Sequence, residues 1–340
     1  MSSFEAPPDT HIYRNAHIFA GNGDYLGGFY VNNPPQVSNA TLYRICTHFI
    51  NFPPSTQPNE WAIHRVTPSN EFDPVPIPRD PSPPSPFEQG GYAILTPSTH
   101  PIPLSITTEP ALHRLQTPEP PNLQVPDDCD PYVRPSDPAY PRNKLHFEER
   151  LIARDGVCSI TGEKEIGGER LFELKATHIF PVSMRESWVR HGYKSSWIRE
   201  DPDDYDDEGN SLTWPDKLFS PQNGLLLDVA VRTGWDMFRL TVDPDDGYRS
   251  MTFCKDQMHH GGQTLHPRAT DETRLDRVSG ECLRWHFHQS ILTVVRGLGD
   301  MRWAEDIMHE NAYYTGEYLE EDLDKERKSV RRCLEWEFGS

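Results

Sequence analysis

Positive charge is scarce in this chain. Lys and Arg number 33 against 52 Asp and Glu, for a formal net charge of −19 over 340 residues. Such a field repels polyanions, so contact with nucleic acid or an anionic bilayer requires a local basic patch. Cysteine is also sparse. Cys46, Cys129, Cys158, Cys254, Cys282 and Cys333 include no CxxC pair, which excludes the common zinc-ribbon and dithiol spacings. They read as reduced, mostly buried thiols of an intracellular protein, with a structural zinc as the weaker alternative. No apolar run reaches the ~18 residues a membrane span needs, so no membrane partner is expected. The opening MSSFEAPPDTHIYRNAH lacks the basic and apolar regions of a secretion signal. The expectation is a cytoplasmic or nuclear protein.

Hydrophobic residues are few at 35%, yet aromatics reach 11%, enough for a sizeable core beside long polar connections. Prolines, 33 in all, concentrate between 68 and 141 and favour extended, loop-like paths. In residues 10–52, NAHIFAG and YLGGFYVNN flank GNGD, the pattern of a hairpin. ATLYRICTHFINF is apolar all round and fits either a buried helix or a strand. GGYAILTPSTHPIPLSITTE alternates like two strands closing an N-terminal sheet. RNKLHFEERLIARDG takes helical spacing and stops at a glycine. VCSITG and LFELKATHIFP then read as strands, followed by the hydrophilic SWIREDPDDYDDEGNSLTWPD and by a helix and hairpin in SPQNGLLLDVAVRTGWDMFRLTVDPDDGYRSMTF. Leu275, Val278, Cys282, Trp285 and Leu292 recur near a helical period that ends at Gly297 and Gly299. A charged helix is expected over about 317–337, carrying Cys333, Leu334 and Trp336 near its end. The fold class is therefore α+β: a β-rich domain over 1–115, a Pro-rich linker over 116–142, a central domain over 143–260 and a helical segment over 261–340.

In order along the chain stand RDGVCSITG, ATHIFPVS, SPQNGLLL and WDMFRLTVDPDDGY. Together they resemble the HNH nuclease-like domain found in many fungal proteins. RNAHIFAGNGDYLGGFYV and LRWHFHQSILTVVRGLG are similar to the terminal segments of that family. The resemblance implies a ββα-metal fold, two antiparallel strands and a helix around one divalent ion (Mg, Mn or Zn). It implies that His178 is the general base activating water and that Asn223 braces the loop carrying it. The chemistry suits those residue types, since phosphodiester hydrolysis needs a base near neutrality and a cation for the phosphate.

The sequence departs from that pattern on the helix. Nine residues after Asn223, where the family places a histidine ligand, stands Arg232, and four residues later Asp236. Arginine has no lone pair for a metal. Thr177 precedes the base and is a poor ligand, so Asp236 alone makes a weak or vanishing metal site. Arg232 also suits a helix-spaced salt bridge to Asp228 or Asp236. Cys158 reads as packing, and His259–His260 in DQMHHGGQ as a solvated loop with metal binding as alternative. Asp203 to Asp207 have the D-D-x-D-D spacing of diphosphate-binding magnesium sites, but Pro202 and Gly209 argue for a solvated loop.

Three functions follow. An HNH-type endonuclease, impaired or altered at Arg232, would use His178, Asn223 and Asp236, with Arg185, Arg190, His191, Lys194 and Arg199 as local basic surface. A repurposed enzyme would do acid–base or cyclisation chemistry on a small organic molecule in a pocket lined by Phe180, Trp188, Trp197 or Trp235. A non-catalytic scaffold would need neither.

Overall fold

A computed structural model describes residues 4–6, 14–31, 37–79, 87–111, 140–163 and 174–297. The chain divides into two compact units, 1–297 and 298–340; the described residues all belong to the first. The helix expected over 317–337 and most of the linker expected over 116–142 lie outside them.

The GNGD turn joins β1 (Ala16–Ala20) to β2 (Tyr25–Phe29) as an antiparallel pair. β1 is buried along its whole length because β5 (Gly90–Leu95) runs parallel on its other side, with β4 (Ala62–Val66) antiparallel beyond. The sheet order is β2-β1-β5-β4. Gly27 in β2 has no room for a side chain, since a Cβ there would lie 2.3 Å from the carbonyl oxygen of Val295. The ambiguous apolar stretch is helical: α1 (Asn39–Phe49) starts at Ser38, whose side chain accepts the Thr41 N–H, and it buries Leu42, Ile45, Cys46 and Phe49. Side-chain capping and the i, i+3, i+4, i+7 spacing decide for helix. Of the two strands expected from GGYAIL to SITT, β5 lies inside the sheet. The second is the two-residue β6 (Ser105–Ile106), which pairs with β3 (Ile50–Asn51) away from it. The prolines between them leave too few donors for a longer ladder.

α2 (Tyr140–Asp155) ends at Gly156, whose φ of +63° stops the helix. VCSITG is a turn, not a strand: Gly162 N–H bonds the Cys158 carbonyl, and Ser159 N–H bonds the Leu226 carbonyl. β7 (Leu174–His178) pairs antiparallel with β8 (Gly224–Asp228), and α5 (Val229–Asp236) follows at once. Between the two strands run the short α3 (Arg185–His191) and α4 (Tyr193–Trp197). The hairpin of β9 (Leu240–Asp243) and β10 (Arg249–Thr252), the short α6 (Pro267–Thr270) and then α7 (Gly280–Ser290) complete this part. α7 starts later than its apolar period suggests, because Ser279 caps it at Cys282; Leu275 is left outside, 49% exposed. Hydrogen bonds tie the N-terminal sheet to the later elements: Tyr30 N–H to the Phe253 carbonyl, and Arg14 to the carbonyls of Val294 and Gly297. Among the described residues no helix is long and apolar enough to cross a membrane.

One buried ion pair fastens α2 to the β7–β8 hairpin. Arg154 and Asp155 are both 0% exposed. Arg154 meets Asp155 through Nε at 2.7 Å and Nη2 at 2.9 Å, and bonds the carbonyls of Pro221 (2.7 Å), Gly224 (2.8 Å) and Asp276 (2.9 Å). All five guanidinium donors are thereby used. Asp155 also accepts Ser159 Oγ–H at 2.7 Å and the Leu226 N–H at 3.2 Å. Replacing one partner of such a pair strands the other in a dry interior. Arg154→Met should therefore cost about 3–5 kcal/mol in urea unfolding. Asp155→Leu on the same background should give part of this back; a further loss of stability would refute the pairing.

Candidate functional site

Along β7 Lys175 and Thr177 share one face, Lys175 exposed and Thr177 buried, while His178, half-buried, lies on the opposite face at the strand end. His178 pairs with Gly224 across the ladder. Its imidazole lies flat on Phe147 of α2, with ring centres 4.1 Å apart and planes 12° apart, while Phe219 meets it edge-on at 4.9 Å. Gly224 makes this clamp possible. A Cβ there would sit 2.4 Å from Phe147 Cζ and 2.8 Å from Leu151 Cδ1, so any other residue would push α2 off the hairpin.

Asn223 is fully buried, immediately before β8. Its Oδ1 accepts the Phe180 N–H at 2.8 Å, and its Nδ2 donates to the carbonyls of Phe180 and Leu218, each at 3.0 Å. Its own carbonyl accepts the Ile179 N–H at 2.9 Å. The two residues after His178 are thus held by one asparagine, and the carboxamide has the donors and acceptor this requires. The structure brings His178 and Asn223 together in this way.

Arg232 and Asp236 meet each other instead. On α5, Arg232 Nε donates to Asp236 Oδ2 at 3.1 Å, both side chains being partly exposed. Asp228 serves as the N-cap, accepting the Ala230 N–H at 2.8 Å. Thr177 Oγ1 donates to the Lys175 carbonyl at 3.2 Å. The residues at these positions do not fit a divalent ion. One is a permanent cation, one a backbone-bonded hydroxyl, and the carboxylate is already engaged by the cation. Among the described residues, no cluster of three or more His, Cys, Asp and Glu could hold a metal.

Cys158 is buried, and its sulfur accepts the Asp228 N–H at 3.4 Å, so it fixes the end of β8. His259 and His260 have ring centres 3.7 Å apart; His260 is 8% exposed, and burial with His259 beside it lowers its pKa. The aromatic residues considered as a pocket lining pack on one another: Phe180 with Trp188 at 5.1 Å and with Trp285 at 4.5 Å, Trp188 with Trp197 at 5.7 Å, and Trp235 on His286 at 3.8 Å. Two residues of the basic stretch are paired, Arg185 with Asp216 and Arg190 with Glu186, each at 2.5 Å. Lys194 donates to the Pro215 carbonyl. Arg185, Lys194 and Asp216 line an open cleft of about 410 Å³ with Trp188 and Val189.

The acidic run is not uniformly solvated. The side chain of Asp203 is 77% exposed, but Asp204 is 0% exposed, and Asp206 is tied to Asn210 at 2.6 and 3.0 Å. The D-D-x-D-D spacing therefore does not converge on one ligand. Residues not singled out from sequence are Phe147 and Phe219, which clasp the imidazole, and Arg154. Phe147 and Leu151 did carry a signal, the i, i+4 apolar pair of a helix facing something flat. Phe219 had none.

Asn223→Ala would leave the Phe180 N–H and two carbonyls buried without partners. The expected loss is about 2–4 kcal/mol, at roughly 1 kcal/mol or more per stranded group. It should appear in chemical denaturation together with a change in the ring-current environment of His178. A loss below about 1 kcal/mol would mean the segment after His178 is held by other means.

Residues 158–215 match a family model described as HNH endonuclease. The match takes in His178 and stops short of Asn223 and α5. No curated protein and no solved structure matches the chain. The chain carries an HNH-like domain in a mixed α and β fold.

Proposed function

We propose that this chain is an HNH-endonuclease-like protein directed at phosphodiesters, with hydrolysis altered or weakened because Arg232 stands where the family pattern has a histidine ligand. The observation that carries this reading is the clasp at the end of β7. His178 closes an antiparallel strand pair, Asn223 holds the two following residues through three hydrogen bonds, and a helix follows β8 directly. In this reading the backbone fixed by the buried amide after His178 serves to hold the imidazole at the strand end for proton transfer.

In this reading His178 takes a proton from water as the water oxygen attacks phosphorus. The P–O ester bond then breaks, and the departing oxygen is protonated from solvent. A divalent ion would supply charge neutralisation at the phosphate and leaving oxygen, but the residues here do not fit one. Arg232 supplies a guanidinium on α5, and such a fork pairs with phosphate oxygens once Asp236 gives way. The net charge of −19 keeps affinity low and steeply salt-dependent.

The test is cleavage of plasmid and oligonucleotide substrates at low salt, with and without added Mg, Mn, Ni or Zn. Wild type should cut weakly, and His178→Ala should lower the rate by about 10²–10⁴-fold. Arg232→His should raise metal-dependent cutting. Equal rates for wild type and His178→Ala, or no cutting by wild type and Arg232→His alike, would remove the nuclease reading.

A further inference from the structure

Asp204 is a buried carboxylate that the clasp described above does not use. Its side chain is 0% exposed, and among the described residues neither carboxyl oxygen accepts a hydrogen bond. Two cations approach without closing: Arg150 Nη1 stands 3.7 Å from Oδ1, and Lys217 Nζ 3.8 Å from Oδ2. Lys217 is itself 2% exposed, and Arg150 Nη1 is also buried with no hydrogen-bond partner among the described residues. A charged carboxylate so deep in a protein normally draws its cations to hydrogen-bonding distance. A neutral carboxyl would leave them where they stand.

The surroundings favour the neutral form. Arg150 is shared among Asp201 at 2.7 Å, Asp276 at 3.8 Å and Asp203 at 3.9 Å, besides Asp204. Lys217 is engaged by Glu200 at 2.5 Å, and Arg274 is committed to Asp276. His146, one helical turn before Arg150 on α2, has its pKa lowered by burial and by that arginine, and adds no cation. Burial first, and Asp201 second, push the Asp204 carboxyl up to about 7 against the pull of Lys217 and Arg150.

The two cations sit on the two segments that hold the imidazole. Arg150 is on α2, one turn from Phe147, which stacks on His178. Lys217 is in the loop that leads directly to Phe219, the ring meeting His178 edge-on. We propose that Asp204 is a proton-operated positioning residue, whose neutral and charged forms set how α2 and residues 212–219 close on the His178 ring. Loss of the proton places a charge beside Asp201 and draws Arg150 and Lys217 inward. That movement pulls on both walls of the clamp. The inference concerns the geometry of His178 and stands whether or not the chain cleaves phosphodiesters.

The sign follows from linkage. A carboxyl with a raised folded pKa favours the folded state most at low pH. That contribution is lost as pH rises from the ordinary carboxylate range through about 7. Infrared spectra of the full chain, with aspartate labelled at the side-chain carboxyl carbon, should show one protonated carboxyl at pH ~6 that disappears by pH ~8. It should be absent from Asp204→Asn. Amide hydrogen exchange in residues 140–155 and 212–219, taken relative to Asp204→Asn at each pH, should rise about tenfold over the same interval. The His178 ring resonances, assigned with His178→Gln, should shift with the same midpoint in wild type only. Lys217→Gln should move that midpoint upward. Absence of any aspartyl carboxyl titrating between pH ~6 and ~8 in wild type overturns the proposal without recourse to a variant. Identical pH profiles in wild type and Asp204→Asn, or His178 resonances indifferent to that midpoint, overturn it equally.

Discussion

The guanidinium of Arg154 holds the site together. It is fully buried, and its five donors meet one carboxylate and the carbonyls of Pro221, Gly224 and Asp276. Pro221 and Gly224 bracket Asn223, so the arginine fixes the backbone from which that asparagine reaches the segment after His178. The same carboxylate, Asp155, also receives Ser159 and the Leu226 N–H. A helix end, a turn and the second strand therefore share one polar knot. Buried ion pairs contribute little net stability against an apolar replacement. What this one contributes is register, since a slip of one residue along β8 would break the contacts to the carbonyls of Pro221 and Gly224 together.

Around that knot the chemistry is apolar. Phe147 and Phe219 enclose the imidazole, and Gly224 leaves space for Phe147 that a methyl group would fill. The imidazole of His178 is held in orientation by the face of Phe147 and the edge-on ring of Phe219. Arg150 and Lys217, close in sequence to the two phenylalanines, approach Asp204 at 3.7 and 3.8 Å.

Much of the scaffold was legible from sequence for physical reasons that act locally. The GNGD turn, the glycine after α2 and the order helix–hairpin after Asn223 follow from turn chemistry and period. α1 remained open because a short apolar stretch fits helix and strand alike; the cap at Ser38 and the spacing of Leu42, Ile45, Cys46 and Phe49 decide for helix. VCSITG failed as a strand because its alternation serves a turn that donates to Leu226, a contact set by the distant strand. In the site, His178 and Asn223 were singled out by the motifs that carry the resemblance, and the Arg232–Asp236 ion pair follows from helical spacing. Phe219 and Asp204 were not, since burial of an aspartate in an acidic loop depends on cations contributed by α2 and by the Lys217 turn. Nothing in DPDDYDDEG distinguishes the inward residue from its neighbours.

Arg232 on α5 sets the local electrostatics. A histidine position that takes up a divalent ion is charged only when the ion is bound, and its field can be removed. A guanidinium is charged at every accessible pH, and here Asp236, one turn on, answers it at 3.1 Å. That pair is partly exposed, so solvent screens it and it contributes at most about 1 kcal/mol. An oxyanion of higher charge than a carboxylate competes for the guanidinium at modest cost. Arg232 is thus held by a weak, solvent-screened internal ligand. Within a chain of net charge −19, such a cation acts at contact range, after arrival, and not as a long-range attractor.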